Sequence, residues 1–300
     1  MWKKKIETKT ILKTRNKIIK KEEAVMQLEF VKVNPVENMT VFILDEVEKT
    51  KHIEIAKKLM DYSSLYAEQV GFVEKMKIED DNIAVRLQMM GGEFCGNATR
   101  SLAALLVHYD HKSIRNIGNN YYVDIEASGL EKVLRCTVQK LDDFRYMSKI
   151  AMPLPSEIPT ELLLEDRYKL YRVDFDGISH FIIDIKSVQD KDYIFKIVKD
   201  FMESEIYDAF GIMFYDFDTD FLTPLVYVKA TDSLFWERSC ASGTSAVGSA
   251  LSYIYSKELD LDVFQPGGVL NIQTRLKYGV ISDINLNGKV EIVARGLVNV

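Results

Sequence analysis

The chain is poor in cysteine. Three in 300 residues (Cys95, Cys136 and Cys240) are too few and too scattered for a disulfide framework. There is no Cys-x-x-Cys pair and no His/Cys cluster, so a structural zinc site is not expected. No apolar run reaches the roughly 20 residues that a membrane span needs. The chain does not open on an apolar stretch of signal-peptide type. Positive charge is not in excess either. The 39 Lys+Arg face 45 Asp+Glu for a net charge of −6, which argues against nucleic-acid binding as the main task. These absences point to a reducing, cytoplasmic compartment. The 47% hydrophobic content is enough for one large domain or two ordinary ones.

Basic residues are unevenly placed. Residues 1–25 hold nine Lys/Arg against three Glu. Loosely spaced Ile6, Ile11, Leu12, Ile18 and Ile19 would allow a basic amphipathic helix on a membrane surface. The preferred expectation is a solvated extension, residues 1–26, upstream of a globular start at Met26.

The chemistry-bearing stretch is Gly91-Gly92-Glu93-Phe94-Cys95-Gly96-Asn97-Ala98-Thr99-Arg100. A second copy of its character is Glu237-Arg238-Ser239-Cys240-Ala241-Ser242-Gly243-Thr244. In each, a cysteine runs through small residues into an apolar segment of helical type, Leu102 to Val107 and Val247 to Ile254. Ser, Thr, Asn and Gly satisfy or tolerate the free N–H groups of a helix start. Each cysteine is therefore expected just before a helix N-terminus, where the dipole favours negative charge and lowers a thiol pKa. A single such turn would read as an ordinary buried cysteine. Two, each with its downstream helix, predict two pseudo-equivalent halves facing one pocket.

The remaining pattern agrees with a duplication whose period is too long for a solenoid. Strands are expected over 28–33, 40–44, 83–89, 121–127, 132–138 and 148–152, and helices over 53–60 and from the first cysteine motif to His108. After a break at Pro153, Pro155 and Pro159 come strands at 171–175, 181–185, 212–215, 225–228, 269–272 and 289–294, with a helix at 192–203. Cys136 falls within a strand and reads as core.

At these residues the chain resembles the diaminopimelate epimerase superfamily of cofactor-free amino-acid racemases, over almost all of 26–300. The carriers are Cys95-Gly96-Asn97 with Arg100, and Glu237-Arg238 with Cys240 through Thr244. Asn38, Gln69, Gly177 with His180, and Pro266-Gly267-Gly268 agree more weakly. The resemblance implies an α+β fold of two pseudo-symmetric domains, each a mostly antiparallel sheet wrapped around a central helix. Their expected bounds are 27–150 plus 285–300, and 151–284. It also implies that Cys95 and Cys240 are the catalytic thiolate and thiol. Gly96, Asn97, Ala241, Ser242 and Gly243 would hold the substrate α-carboxylate, with Asn38 and Gln69 as further contacts. Neither pyridoxal phosphate nor a metal is then required, because preorganised N–H donors drain the carbanion charge. A homodimer is the expected assembly, and a small amino acid the expected partner.

Departures from the pattern bear on the substrate. Three asparagines that hold the distal end of diaminopimelate are matched here by Gln88, Ile178 and an apolar residue near Met213. A buried charge without partners costs several kcal/mol, so a smaller or less charged side chain is favoured. Gln88, Glu237 and Arg238 remain at the distal end. In this the chain is similar to the histidine racemases, including those that feed D-histidine to opine metallophore synthesis. The competing readings are diaminopimelate epimerase itself, an isomerase of the same fold acting on a non-amino acid, and a non-catalytic binding protein.

Overall fold

The computed structural model describes residues 26–74 and 85–300. The expected basic extension over residues 1–25, and the first two residues of the strand expected from Ile83, lie outside the described residues. Among those described, seventeen strands form one continuous hydrogen-bonded sheet with four α-helices, an α+β architecture.

Two series of pairings repeat. In the first, β1 (Gln27–Asn34) pairs antiparallel with β2 (Thr40–Ile43). A crossover through α1 (His52–Met60) makes β2 parallel to β3 (Gln69–Glu74). Antiparallel β4 (Val85–Met89) follows, then α2 (Gly96–His108). The short β5 (Arg115–Ile117) precedes β6 (Asn120–Ala127), which lies parallel to β4, and β7 (Leu134–Lys140) and β8 (Arg145–Ala151) complete the series. After β9 (Thr160–Leu164) the same order returns. β10 (Tyr168–Phe175) is antiparallel to β11 (Ile178–Asp184), and a crossover through α3 (Lys191–Met202) makes β11 parallel to β12 (Ala209–Asp216). Antiparallel β13 (Phe221–Val228) and the edge strand β14 (Ser233–Trp236) lead to α4 (Ala241–Tyr255). β15 (Leu259–Gln265) and β16 (Gly268–Lys277) follow. The 20-residue β17 (Val280–Asn299) then pairs with β16, β8 and β1 and ties both series together.

The helices are of two kinds, for a reason visible in their residues. α1 buries His52, Ile55, Ala56 and Leu59, spaced as one face of a surface helix. α3 does the same with Ile194, Ile197, Val198 and Met202, and Asp190 caps it by accepting from the Asp192 and Tyr193 N–H groups. By contrast α2 and α4 are buried on all sides over their first three turns, apart from half-buried Ser242. Their polar residues are small and bond back along the helix: Ser101 Oγ to Asn97 O at 2.6 Å, Ser245 Oγ to Ala241 O at 2.9 Å, Ser249 Oγ to Ser245 O at 2.8 Å. Such helices cannot stand at a surface and are wrapped by strands, α2 by β6, β7, β8 and β17, and α4 by β10, β11, β12, β15, β16 and β17. One continuous apolar core contains both. Cys136 is wholly buried in it, as expected. Among the described residues no helix is long and apolar enough to cross a membrane.

Candidate active site

Cys95 is the N-cap of α2 and Cys240 the N-cap of α4. Their backbones are nearly identical, with φ/ψ of −127°/109° and −126°/115°. Each sulfur accepts from the N–H three residues on: Ala98 N at 3.4 Å from Cys95 Sγ, and Gly243 N at 3.3 Å from Cys240 Sγ. In each copy a threonine four residues on donates its hydroxyl to the cysteine carbonyl, Thr99 at 2.8 Å and Thr244 at 2.6 Å. The expected helix ends are therefore present, and the two starts are built alike.

They also meet. A methyl placed on Gly96 would lie 3.3 Å from the Ala241 methyl, so the first residues of α2 and α4 abut. Among the described residues, the N–H groups of Gly96, Ala241 and Ser242 have no hydrogen-bond partner. Free donors at helix N-termini are the kind of group that holds an anion. Gly243 is tightly set: a side chain there would meet Met213 Sδ at 2.3 Å.

Electrostatics correct one expectation. The helix ends were expected to lower the thiol pKa values, but burial outweighs them. It pushes Cys95 up to about 12, helped by the negative charges of Glu93 and Glu237, against the Ala98 and Asn97 N–H groups. Cys240, 5% exposed, is raised well above the ordinary thiol range by burial and then by Glu237. Cys95 keeps an open edge. Both are thiols at neutral pH until a base acts. A partly buried carboxyl, Glu237, stands near Cys240. The Cys240 sulfur lies 3.5 Å from Ser242 Oγ. The nearby Glu237 carboxyl is pushed up to about 7, by burial first and by the charge of Glu68, against the influence of the Cys240 thiol.

The other expected residues fall into two groups. Asn97, Asn38, Gly96, Glu237, Ala241, Ser242 and Gly243 come together. Asn97 Nδ2 donates to Asn38 Oδ1 (3.4 Å), and Asn38 Nδ2 donates to Glu68 Oε2 (3.1 Å). Burial raises the pKa of Glu68, against the Asn38 hydrogen bond and the charge of Arg238. The side chains of Gln88 and Arg238 are engaged elsewhere. Gln88 donates to Met89 O at 3.2 Å and accepts from Arg86. Half-exposed Arg238 pairs with Glu37 and donates to Pro266 O at 3.0 Å. The turn that carries Glu37 holds both Val36 and Glu37 in the left-handed region, φ 62° and 59°, which is costly for a β-branched residue. Gly267 packs on it so closely that a methyl would lie 2.5 Å from Val36 O. Gln69 opens β3, its N–H bonded to Met39 O.

Sequence reasoning missed Glu68, which has no local signal beyond its place before Gln69. It noted His180 only as a weak element of the resemblance. His180 on β11 is wholly buried, both ring nitrogens lack a partner among the described residues, and burial lowers its pKa to about 3. Such an orphaned neutral imidazole calls for an explanation. Among the described residues no three His, Cys, Asp or Glu side chains are gathered as a metal ion would need.

Comparison with known proteins finds relatives along nearly the whole chain. The family model described as the histidine racemase CntK N-terminal domain matches residues 27–299. The histidine racemase of Fusobacterium nucleatum subsp. nucleatum is 40% identical over 283 residues, 91% of this chain and 98% of that one. The histidine racemase of Staphylococcus aureus is 29% identical over 274 residues, 90% and 96% of the two chains. In fold, the chain is similar to a hydroxyproline epimerase from Agrobacterium vitis at TM-score 0.65, with 10% identity, covering 91% of this chain and 93% of that one. With two cysteine-capped helix starts facing each other and these relatives along nearly its whole length, the chain belongs to the histidine racemase CntK family and is an isomerase of the racemase class.

Proposed function

We propose that this protein interconverts L- and D-histidine by a two-thiol mechanism without a cofactor. The observation that carries the reading is the face-to-face approach of the Cys95 and Cys240 helix starts, with Gly96 against Ala241. The α-carboxylate lies between the free N–H groups of Gly96, Ala241 and Ser242. Removal of the α-proton places charge on that carboxylate, where the donors are already aimed. The two sulfurs stand on opposite faces of the α-carbon. The Cys240 thiol passes its proton to Glu237, and the resulting thiolate takes the α-proton. Cys95, still a thiol, delivers a proton to the other face. The reverse reaction exchanges these roles, so the working enzyme has one thiolate and one thiol.

The imidazole is read by the polar end of the pocket. Glu237 feels the charge of Glu68, and the two carboxyls suit a side chain that carries N–H donors. The orphaned His180 supplies a second neutral ring with unused hydrogen-bonding capacity. A site built to bond a ring N–H rejects an analogue lacking it by a factor on the order of 10⁴. The repeated strand order supports two pseudo-symmetric domains, 27–150 plus 285–300 and 151–284, with the pocket between them and β17 bridging. D-histidine as the product fits the resemblance to racemases that serve opine metallophore synthesis.

The test is α-proton exchange in deuterated water with L-histidine, L-phenylalanine and LL-diaminopimelate, for the native protein and for Cys95→Ser and Cys240→Ser. Histidine should exchange and racemise, the other two should stay inert, and neither variant should racemise. Turnover of diaminopimelate with histidine inert would overturn the substrate. Near-native racemisation by either serine variant would overturn the two-thiol mechanism.

A further inference from the structure

Arg100, in the second turn of α2, is 0% exposed, and among the described residues no carboxylate pairs with it. A buried guanidinium without an ion-pair partner is expensive. Its donors are nevertheless nearly all used. Nε and Nη2 both grip Asn97 Oδ1, at 3.1 and 3.0 Å, and Nη1 bonds Gly288 O and Lys289 O at 2.8 and 3.0 Å. The space for it is made by Gly288, where a methyl would lie 3.2 Å from Cζ and Nη1.

We infer that Arg100 is a positioning residue that fixes which end of the Asn97 amide faces the pocket and, through Asn38, sets the direction of hydrogen bonding as far as Glu68. The chain of bonds runs Arg100 to Asn97 Oδ1, Asn97 Nδ2 to Asn38 Oδ1, and Asn38 Nδ2 to Glu68 Oε2. An amide side chain by itself fits either way round. Here a guanidinium that can only donate stands at one end, and a carboxylate that can only accept stands at the other. With both ends fixed, only one orientation of each amide satisfies all the bonds. The link between the two asparagines, at 3.4 Å, is the longest and the first to turn if either end changes. The second Asn97 Nδ2 hydrogen and Glu68 Oε1 remain without partners among the described residues. They give the substrate one donor and one acceptor, on the reading proposed above. Arg100 thus acts on the substrate only through Asn97, Asn38 and Glu68.

The experiment reverses the chain. Asn97→Asp is nearly isosteric and gives Arg100 the carboxylate it lacks. Asn38 must then turn its Nδ2 toward position 97 and present oxygen to the Glu68 carboxylate. Glu68→Gln supplies a donor there, so the double variant forms the whole chain in the opposite direction. Thermal unfolding and histidine exchange are measured for the native protein, both single variants and the double variant. The expected result is that the double variant melts at least about 2 °C above the sum of the single-variant shifts, though no hydrogen bond joins positions 97 and 68 directly. Asn97→Asp alone should lower kcat/KM by about 100-fold while Arg100 remains paired. Additive melting shifts would overturn the inference, and so would Asn97→Asp with native kcat/KM. The melting arm does not depend on activity, so failure of the proposed substrate and failure of this inference are distinguishable.

Discussion

Replacing Glu237 by Gln separates stability from activity in a way that follows from burial. The carboxyl has a pKa of about 7 in the folded protein against an ordinary value of 4.5. That difference corresponds to about 3 kcal/mol at roughly 1.4 kcal/mol per pKa unit. Glu237 is only partly buried, so part of this is screened and about 2 kcal/mol is the working figure. The sign is fixed by proton binding. Between pH 4.5 and 7 the folded state holds the Glu237 proton and the unfolded state does not, so stability falls as pH rises through this window. Above pH 7 the native enzyme carries an ionised carboxylate in a site that disfavours it. Glu237→Gln keeps the shape and removes the charge. Chemical unfolding at pH 5 and at pH 8 should show the variant gaining about 2 kcal/mol on the native protein at the higher pH only. Racemisation should fall by 10²–10⁴-fold, because the Cys240 thiol has lost its proton acceptor. For the native enzyme kcat should rise through pH 7 as Glu237 ionises. A stability difference that is the same at both pH values, or a variant that racemises normally, would refute the reasoning.

Gly96→Ala should be more harmful to activity than to folding. The added methyl would meet Met152 Sδ at 2.8 Å and the Ala241 methyl at 3.3 Å, wedging the two helix starts apart. A drop of 10²-fold or more in kcat/KM, with a stability loss of about 1–3 kcal/mol by denaturant unfolding, is expected. Mild oxidation of the substrate-free enzyme should abolish activity by joining Cys95 to Cys240, and reductant should restore it. Peptide mapping that finds both thiols free in the inactivated enzyme would contradict this.

Much of the site was readable because its causes are local. A cysteine followed by Gly-Asn-Ala-Thr or Ala-Ser-Gly-Thr and then by apolar residues specifies a capped helix wherever it is placed, and both helices begin where the motifs put them. The strands that alternate, such as Gln27–Asn34, and the one-faced helices α1 and α3 were legible for the same reason. The edge strand Ser233–Trp236 and the strand Leu259–Gln265 were not. Only their neighbours make them strands, for each is defined by pairing across the sheet.

The amino-acid sequence by itself determined the two thiols, the two helix starts and the duplicated order of elements. Tertiary structure alone decided what those groups can do. It brings Gly96 against Ala241, and so sets two N-termini that are distant in the chain side by side. It buries both sulfurs deeply enough that desolvation overcomes the helix ends, and it brings the Glu237 carboxyl near Cys240. It engages Arg238 with Glu37 across a strained turn. It also links Arg100 to Glu68 through two asparagines. Each of these depends on residues distant in the chain. Helix capping is set within a few residues, whereas desolvation and the direction of a hydrogen-bond chain depend on what the whole fold places around a group.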